Sequence, residues 1–228
     1  MGGSFGNRPR ATLAPVKTIF ALAAILLPAG GVALADEPPA PASPEAIVEY
    51  RESGEWSAET TRVIRRAKRY VRGHLDDATS RAAIVLDIDD TSLSNYACLR
   101  ATDFDRSAAD CGDQTLPAIP QTRSLFRWAR ERDVAVFFVT GRREAARERT
   151  AANLRAAGYR GGWTLKMRPD EQSRRWRDGW KARVRRAILE RRGFRILANV
   201  GDQWSDLDEG HAARRFKLPN PMYVIPTA

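Results

Sequence analysis

Three short apolar runs that do not alternate with polar residues set the limits on this fold. They are Ala82-Ala83-Ile84-Val85-Leu86, Val134-Ala135-Val136-Phe137-Phe138-Val139 and Ile196-Leu197-Ala198-Asn199-Val200. A strand with one wet face alternates, whereas a run that is apolar throughout suits a strand covered on both faces of a parallel sheet. Trp163-Thr164-Leu165-Lys166-Met167 is a weaker fourth run. Helical stretches lie between them: Pro120 to Arg132, Glu144 to Ala157 stopped by Gly158, and Gly179 to Arg192 stopped by Gly193. Strand and helix alternate, which predicts an α/β fold: a Rossmann-like parallel sheet with helices on both faces. Ahead of it, Ser43-Pro44-Glu45 starts a short helix that Gly54 ends, and Ser57 can cap a second one through about Gly73. Residues 96–118 form an irregular insert, a small cap of the kind that often serves as a lid.

The residues just beyond each run carry the chemistry. After the first come Asp87-Ile88-Asp89-Asp90-Thr91, after the second Thr140-Gly141-Arg142, and after the last Gly201-Asp202-Gln203-Trp204-Ser205-Asp206. In an open parallel sheet, ligands bind outside the carboxyl ends of strands near the topological switch, so these segments are expected in one crevice. Side chains alternate along a strand, so Asp87 and Asp89 point the same way. Asp202 and Asp206 add two acids to the same rim. Carboxylates that close repel one another unless a cation joins them. With no cluster of His or Cys nearby, the set favours a hard cation, Mg2+ above the others. Thr140 and a lysine can hold an anion opposite. Carboxylates, magnesium, a hydroxyl and a lysine are the components of phosphoryl transfer.

The first 35 residues read differently. Arg8, Arg10 and Lys17 precede an uncharged run, Thr18 to Leu27, and Ala33-Leu34-Ala35 stands before Asp36. That order is a secretory signal peptide cleaved after Ala35, with an uncleaved membrane anchor as the competing reading; Pro28, Gly30 and Gly31 interrupt the apolar stretch and argue against a stable membrane span. The product would be exported, periplasmic or extracellular. Residues 36–43 form a proline-rich linker, and 44–228 a single domain. Without the leader the net charge falls from +10 to +7, a balance that draws anions but names no partner. Cys98 and Cys111 are the only cysteines, and in an exported protein an even pair closing a short loop reads as a disulfide. Two cysteines and two distant histidines, His74 and His211, provide no zinc-site spacing.

Asp87-Ile88-Asp89-Asp90-Thr91 is similar to the Asp-x-Asp-x-Thr signature of haloacid-dehalogenase-like phosphatases. Phe137 to Arg142 resembles their second motif, and Gly201 to Asp206 their fourth. The best match is the acid phosphatase branch that includes bacterial class C acid phosphatases and plant vegetative storage proteins. Leu93-Ser94-Asn95, Leu116 to Pro120 and Phe216 to Tyr223 also resemble that branch, and the likeness runs from about 44 to 226. It implies a hydrolase of small phosphomonoesters, nucleotides among them. Asp87 would be the nucleophile, forming an aspartyl-phosphate. Asp89 would protonate the leaving oxygen and then activate water, and so must start protonated. Thr140 would hydrogen-bond the phosphoryl group. Magnesium would be held by Asp87, the Asp89 carbonyl and Asp202, with Asp206 bracing the site. Thr91, Gly141, Arg142 and Arg185 are further candidates for binding substrate. The lysine is Lys181, where Trp180-Lys181 and Arg185 resemble the branch's Tyr-Lys-x-x-x-Arg, with Lys166 as the rival.

Two other classes compete. One is a storage or phosphate-binding protein on this fold with weak catalysis, against which the retained Asp87 speaks. The other is a nucleic-acid binder using the Arg-rich stretch 174–192. No recognised nucleic-acid module accompanies that stretch, so a solvated helix face explains it better, and nucleic acid is not expected as a partner.

Overall fold

A computed structural model describes residues 1–3, 42–75, 81–109, 111–112, 114–171 and 179–225. The chain divides into two units, Met1–Asp36 and Glu37–Ala228, and every element named below lies in the second. The expected leader over 1–35 falls outside the described residues except for 1–3, and the expected linker over 36–43 except for 42–43.

Five strands form one parallel sheet in the order β3-β2-β1-β4-β5. They are β1 (Arg81–Leu86), β2 (Ala135–Arg143), β3 (Trp163–Arg168), β4 (Phe194–Gly201) and β5 (Arg214–Lys217). The chain steps outward from β1 through β2 to β3, then returns to the far side of β1 as β4. The order therefore reverses at the β1/β4 seam, which puts the switch point directly beyond Leu86 and Gly201. The helices are α1 (Pro44–Glu52), α2 (Glu55–Arg72), α3 (Tyr96–Arg100), α4 (Pro120–Arg130), α5 (Arg147–Ala156), α6 (Trp180–Arg192) and α7 (Trp204–Leu207). A 3-10 turn over Glu144–Ala146 leads into α5.

The doubly apolar runs are doubly covered. Ile84 and Leu86 of β1 pack with Val136 and Phe138 of β2 against residues of α2, α4 and α5. Ala83, Val85, Phe137 and Val139 take the opposite face, where Trp180 and Ile188 of α6 cover them. The alternation continues past the strand. Ile88 returns to the α2/α4 side, so Asp87 follows Ala83 and Val85 towards α6.

Two details differ from the sequence reading. Ser53 and Gly54, the latter at φ 84°, separate α1 from α2. The second helix therefore begins at Glu55, and Ser57 caps nothing; its hydroxyl accepts a hydrogen bond from Gln121 Nε2 at 2.9 Å. The fifth strand was not anticipated. In β5 only Phe216 is buried, and Arg214 and Arg215 are exposed, as an edge strand requires.

The insert is tied down at its base. Cys98 on α3 is bridged to Cys111, with their Cα atoms 5.7 Å apart. Leu99, Ile47 of α1, Met222 and Tyr223 form a separate buried cluster, against which Tyr96, Phe104 and Cys111 pack. Among the described residues, no helix is long and apolar enough to cross a membrane.

Candidate active site

The loop after β1 is built to hold Asp87 still. Asp87 N donates to Val200 O at 3.0 Å, stitching the end of β1 to β4. Ile88 O accepts from the amides of Ser92 and Leu93, both at 2.8 Å, and turns the chain back on itself. Asp90 takes a φ of 53°, an uncommon backbone state for a residue other than glycine. Its carboxylate accepts from Asn95 N (2.9 Å), Asn95 Nδ2 (3.1 Å) and the Tyr223 hydroxyl (2.7 Å). These bonds hold the turn against its strain.

The loop after β4 brings the second pair of acids. Gln203 N donates to Asp206 Oδ2 at 2.9 Å, closing a capping box at the start of α7. Asp206 thereby folds back over Gly201, where a Cβ would stand 2.6 Å from Asp206 Oδ2, well inside contact distance. Asp202 accepts from Thr91 Oγ1 (2.9 Å), Gln203 Nε2 (2.7 Å) and Asn220 Nδ2 (2.7 Å).

Asp87, Asp202 and Asp206 each offer an oxygen, all within 4.8 Å of one another, and all three residues are buried. Lys181, from the first turn of α6, donates to Asp87 Oδ1 at 2.5 Å and to Asp206 Oδ1 at 2.6 Å. Burial works against its charge, but Asp206 and Asp87 outweigh it and hold the ammonium well above the ordinary lysine range. One lysine against three carboxylates leaves two negative charges uncompensated. The cost is visible in Asp87, pushed well up by burial and then by Asp206. Asp202 is pushed up to about 7 by burial, then by Asp206 and Asp90. An oxygen-only, doubly negative cluster of this size fits a hard dication.

Asp89 is the exception among the acids. Its side chain, 36% exposed, turns from the trio and pairs with Arg142, whose Nη2 and Nε stand 2.7 and 3.1 Å from its two oxygens. Asn95 Nδ2 adds a third donor at 3.2 Å. Burial favours the neutral acid, but Arg142 and Asn95 outweigh it and hold Asp89 below the usual carboxylate range. The expectation that Asp89 starts protonated is therefore not met in this arrangement. An arginine pairing with both oxygens stabilises only the carboxylate.

Residues 32–226 match the family described as HAD superfamily, subfamily IIIB (Acid phosphatase). The chain belongs to this acid phosphatase family. Acid phosphatase 1 of Solanum lycopersicum is 33% identical over 190 residues, 78% of this chain and 73% of that protein. Vegetative storage protein 1 of Arabidopsis thaliana is 31% identical over 152 residues, 63% of this chain but only 55% of that protein. The class C acid phosphatase of Bacillus anthracis, solved with tungstate bound, shares the fold at a TM-score of 0.62. It is 18% identical, over 79% of this chain and 84% of that one.

The residues of the phosphatase that face its crevice include Asp87, Asp89, Gly141, Arg142, Lys181, Asp202 and Asp206. Three expected substrate contacts lie behind it instead. Thr91 is fully buried and braces Asp202, as above. Thr140 is fully buried, and its hydroxyl accepts from Arg142 N at 3.1 Å, which shapes the turn that presents Arg142. Arg185, 1% exposed, spends its guanidinium on the carbonyls of Asp206 (2.7 Å), Gly210 (2.9 Å) and Asp208. Lys166, the rival lysine, sits on β3 paired with Val139 and does not line the crevice. Trp180 lines it but is 8% exposed and packed into the α6 side of the core.

Sequence reasoning gave no role to Asn95, Gln203, Asn220 or Tyr223, all of which bond to active-site acids. Asn95, Asn220 and Tyr223 lie in segments singled out by family resemblance, which was the available signal. Gln203 lies inside the fourth motif, where a capping box was legible only once Asp206 was known to fold back.

Proposed function

We propose that this phosphatase hydrolyses small phosphomonoesters, nucleotides among them, with magnesium and through an aspartyl-phosphate on Asp87. The observation that carries the reading is the charge arrangement: Lys181 joins Asp87 to Asp206, and Asp202 completes a trio left with two uncompensated negative charges. Magnesium bound by Asp87, Asp202 and Asp206, with help from the Asp89 carbonyl, would supply the positive charge that shields the nucleophile from its anionic substrate.

The chain's own residues do the rest. Asp87, held by Lys181, attacks phosphorus, and the leaving oxygen takes a proton as its bond breaks. Lys181 and Arg142 border the crevice and carry the positive charge that receives the phosphoryl oxygens, and Gly141 keeps the approach open. Asp89 acts as acid and then as base. Its pairing with Arg142 suits the second role as it stands. The first role requires Arg142 to leave Asp89 for the substrate's phosphoryl group, a guanidinium moving from one oxyanion to another. Thr140 holds the turn from which it moves. The disulfide between Cys98 and Cys111 supports action in an oxidising, exported compartment.

The test is turnover of 4-nitrophenyl phosphate with magnesium, with chelator, and in Asp87→Asn. The reading expects chelation and the substitution each to abolish turnover; undiminished rates in Asp87→Asn would overturn it. A metal titration followed by thermal unfolding gives a second readout, with Tm rising in the parent and not in Asp202→Asn. The likeness to the Arabidopsis storage protein favours a second reading, a catalytically weak storage or phosphate-binding protein on the same fold. Phosphate binding without turnover in the parent would decide for it.

A further inference from the structure

Besides the acids, the crevice is lined by residues of the insert and of the C-terminal segment. The crevice volume, about 350 Å³, lies within the range of small-molecule pockets, so it has room for an alcohol as well as a phosphoryl group. Leu99, Ala109, Cys111 and Ile225 make this part of the lining largely apolar, and Arg106 is its cation.

Arg106 is held in place although its side chain is exposed. Its guanidinium carbon stands 4.1 Å from the centre of the Tyr223 ring, within the range of a cation–π contact. Tyr223 is itself fixed by the bond from its hydroxyl to Asp90. The turn that carries Arg106 is tied internally: Ser107 N and Oγ donate to Asp105 Oδ1 at 2.8 and 2.6 Å, and Phe104 N donates to Leu99 O at 2.8 Å. The disulfide closes the same loop. Among the described residues, no carboxylate stands within ion-pair distance of Arg106. A guanidinium braced over a reaction crevice, with no acid among the described residues paired to it, is placed to meet an acid on the ligand.

We propose that Arg106 determines leaving-group preference, selecting phosphomonoesters whose alcohol carries its own carboxylate: phosphate esters of hydroxy acids. The phosphoryl group occupies the acid and lysine end, the carbon skeleton lies along Leu99 and Ile225, and the carboxylate meets the planar fork of Arg106 in two parallel hydrogen bonds. This rests on the phosphatase reading above, and deepens it by assigning the other half of the substrate.

The experiment compares kcat/KM for 4-carboxyphenyl phosphate and phenyl phosphate in the magnesium-loaded full chain, in Arg106→Gln and in Arg106→Lys. The ratio of the two substrates cancels any general effect on folding or chemistry. It is expected to fall about fivefold in Arg106→Gln, through KM rather than kcat, and to be only partly kept in Arg106→Lys, which retains the charge but lacks the fork. In the parent it is expected to shrink as salt is raised, because an exposed ion pair is screened. A ratio unchanged in Arg106→Gln, including equal losses on both substrates, would overturn the proposal alone. No turnover of either ester by the parent would overturn the phosphatase reading and this one with it.

Discussion

The ammonium of Lys181 lies 2.5 Å from Asp87 Oδ1 although 94 residues separate the two in the chain. The contact follows from strand parity: Asp87 faces α6, and Lys181 stands in that helix's first turn. The same ammonium reaches Asp206, so one cation serves two buried acids. Lys181→Met is expected to lower kcat by about 10²–10³, the usual loss when a preorganised charge partner is removed. It should also cost about 3–5 kcal/mol of stability in chelator, since the acids lose their counter-charge. Saturating magnesium should recover part of that loss. Thermal unfolding with and without metal checks both points, and a Tm equal to the parent's in chelator would contradict them.

Gly201 is required for its lack of a side chain, not for its backbone angles. A Cβ there would overlap Asp206, whose carboxylate is held from the other side by Gln203 N and Lys181. Gly201→Ala is expected to push Asp206 out of the trio and weaken magnesium binding at least tenfold by calorimetry, a loss of about 1.4 kcal/mol. Gly141 is the control, because a Cβ there meets nothing within 4 Å. Gly141→Ala should leave Tm within a degree or two, consistent with a change below about 0.5 kcal/mol.

The legibility of each residue in the sequence depends on the work it has to do. The strands β1, β2 and β4 were legible because burial on both faces forbids polar residues, and the acids just beyond them inherit a known place. β5 was not legible, since an edge strand with a single buried residue, Phe216, carries no periodic signal. Asp87, Asp202 and Asp206 were found because acids just beyond apolar runs are conspicuous, and Lys181 because Trp180-Lys181 and Arg185 resemble the family's motif. Asn95, Gln203 and Asn220 were not, because short polar residues look the same whether they brace a carboxylate or line a turn. Arg142 was singled out, but its pairing with Asp89 was not, because the two lie 53 residues apart and nothing local in the sequence joins them.

The disulfide fastens the insert, which lines one part of the crevice. Cys98→Ser with Cys111→Ser is expected to cost about 3 kcal/mol through the loop entropy regained by the unfolded chain. Because Leu99 and Cys111 line the crevice, loosening the loop should raise KM more than it lowers kcat. Denaturant unfolding and steady-state kinetics of the double variant check the two effects separately. A fall in kcat at constant KM would mean that the insert acts on the chemistry itself.

Arg185 acts on the reaction from behind it. Burial pushes its guanidinium down to about 10, and the carbonyls of Asp206, Asp208 and Gly210 are its compensation. Asn199 Nδ2 also donates to Asp206 O, at 2.8 Å, so the backbone of Asp206 is held by two side chains while its carboxylate serves the site. Arg185→Met keeps the volume and removes the three Arg185 donors, leaving Asp206 O with Asn199 alone and the carbonyls of Asp208 and Gly210 without their guanidinium partner. The loop from Asp206 to Gly210 is then expected to loosen, with earlier hydrogen exchange there and weaker magnesium binding. Arg185→Lys should restore part of the stability, because an ammonium still donates, but less of the metal affinity, because it lacks the fork that spans three carbonyls. A purely structural role would let stability and metal affinity recover together in the lysine variant. Recovery of stability without metal affinity identifies Arg185 as a positioning residue for Asp206.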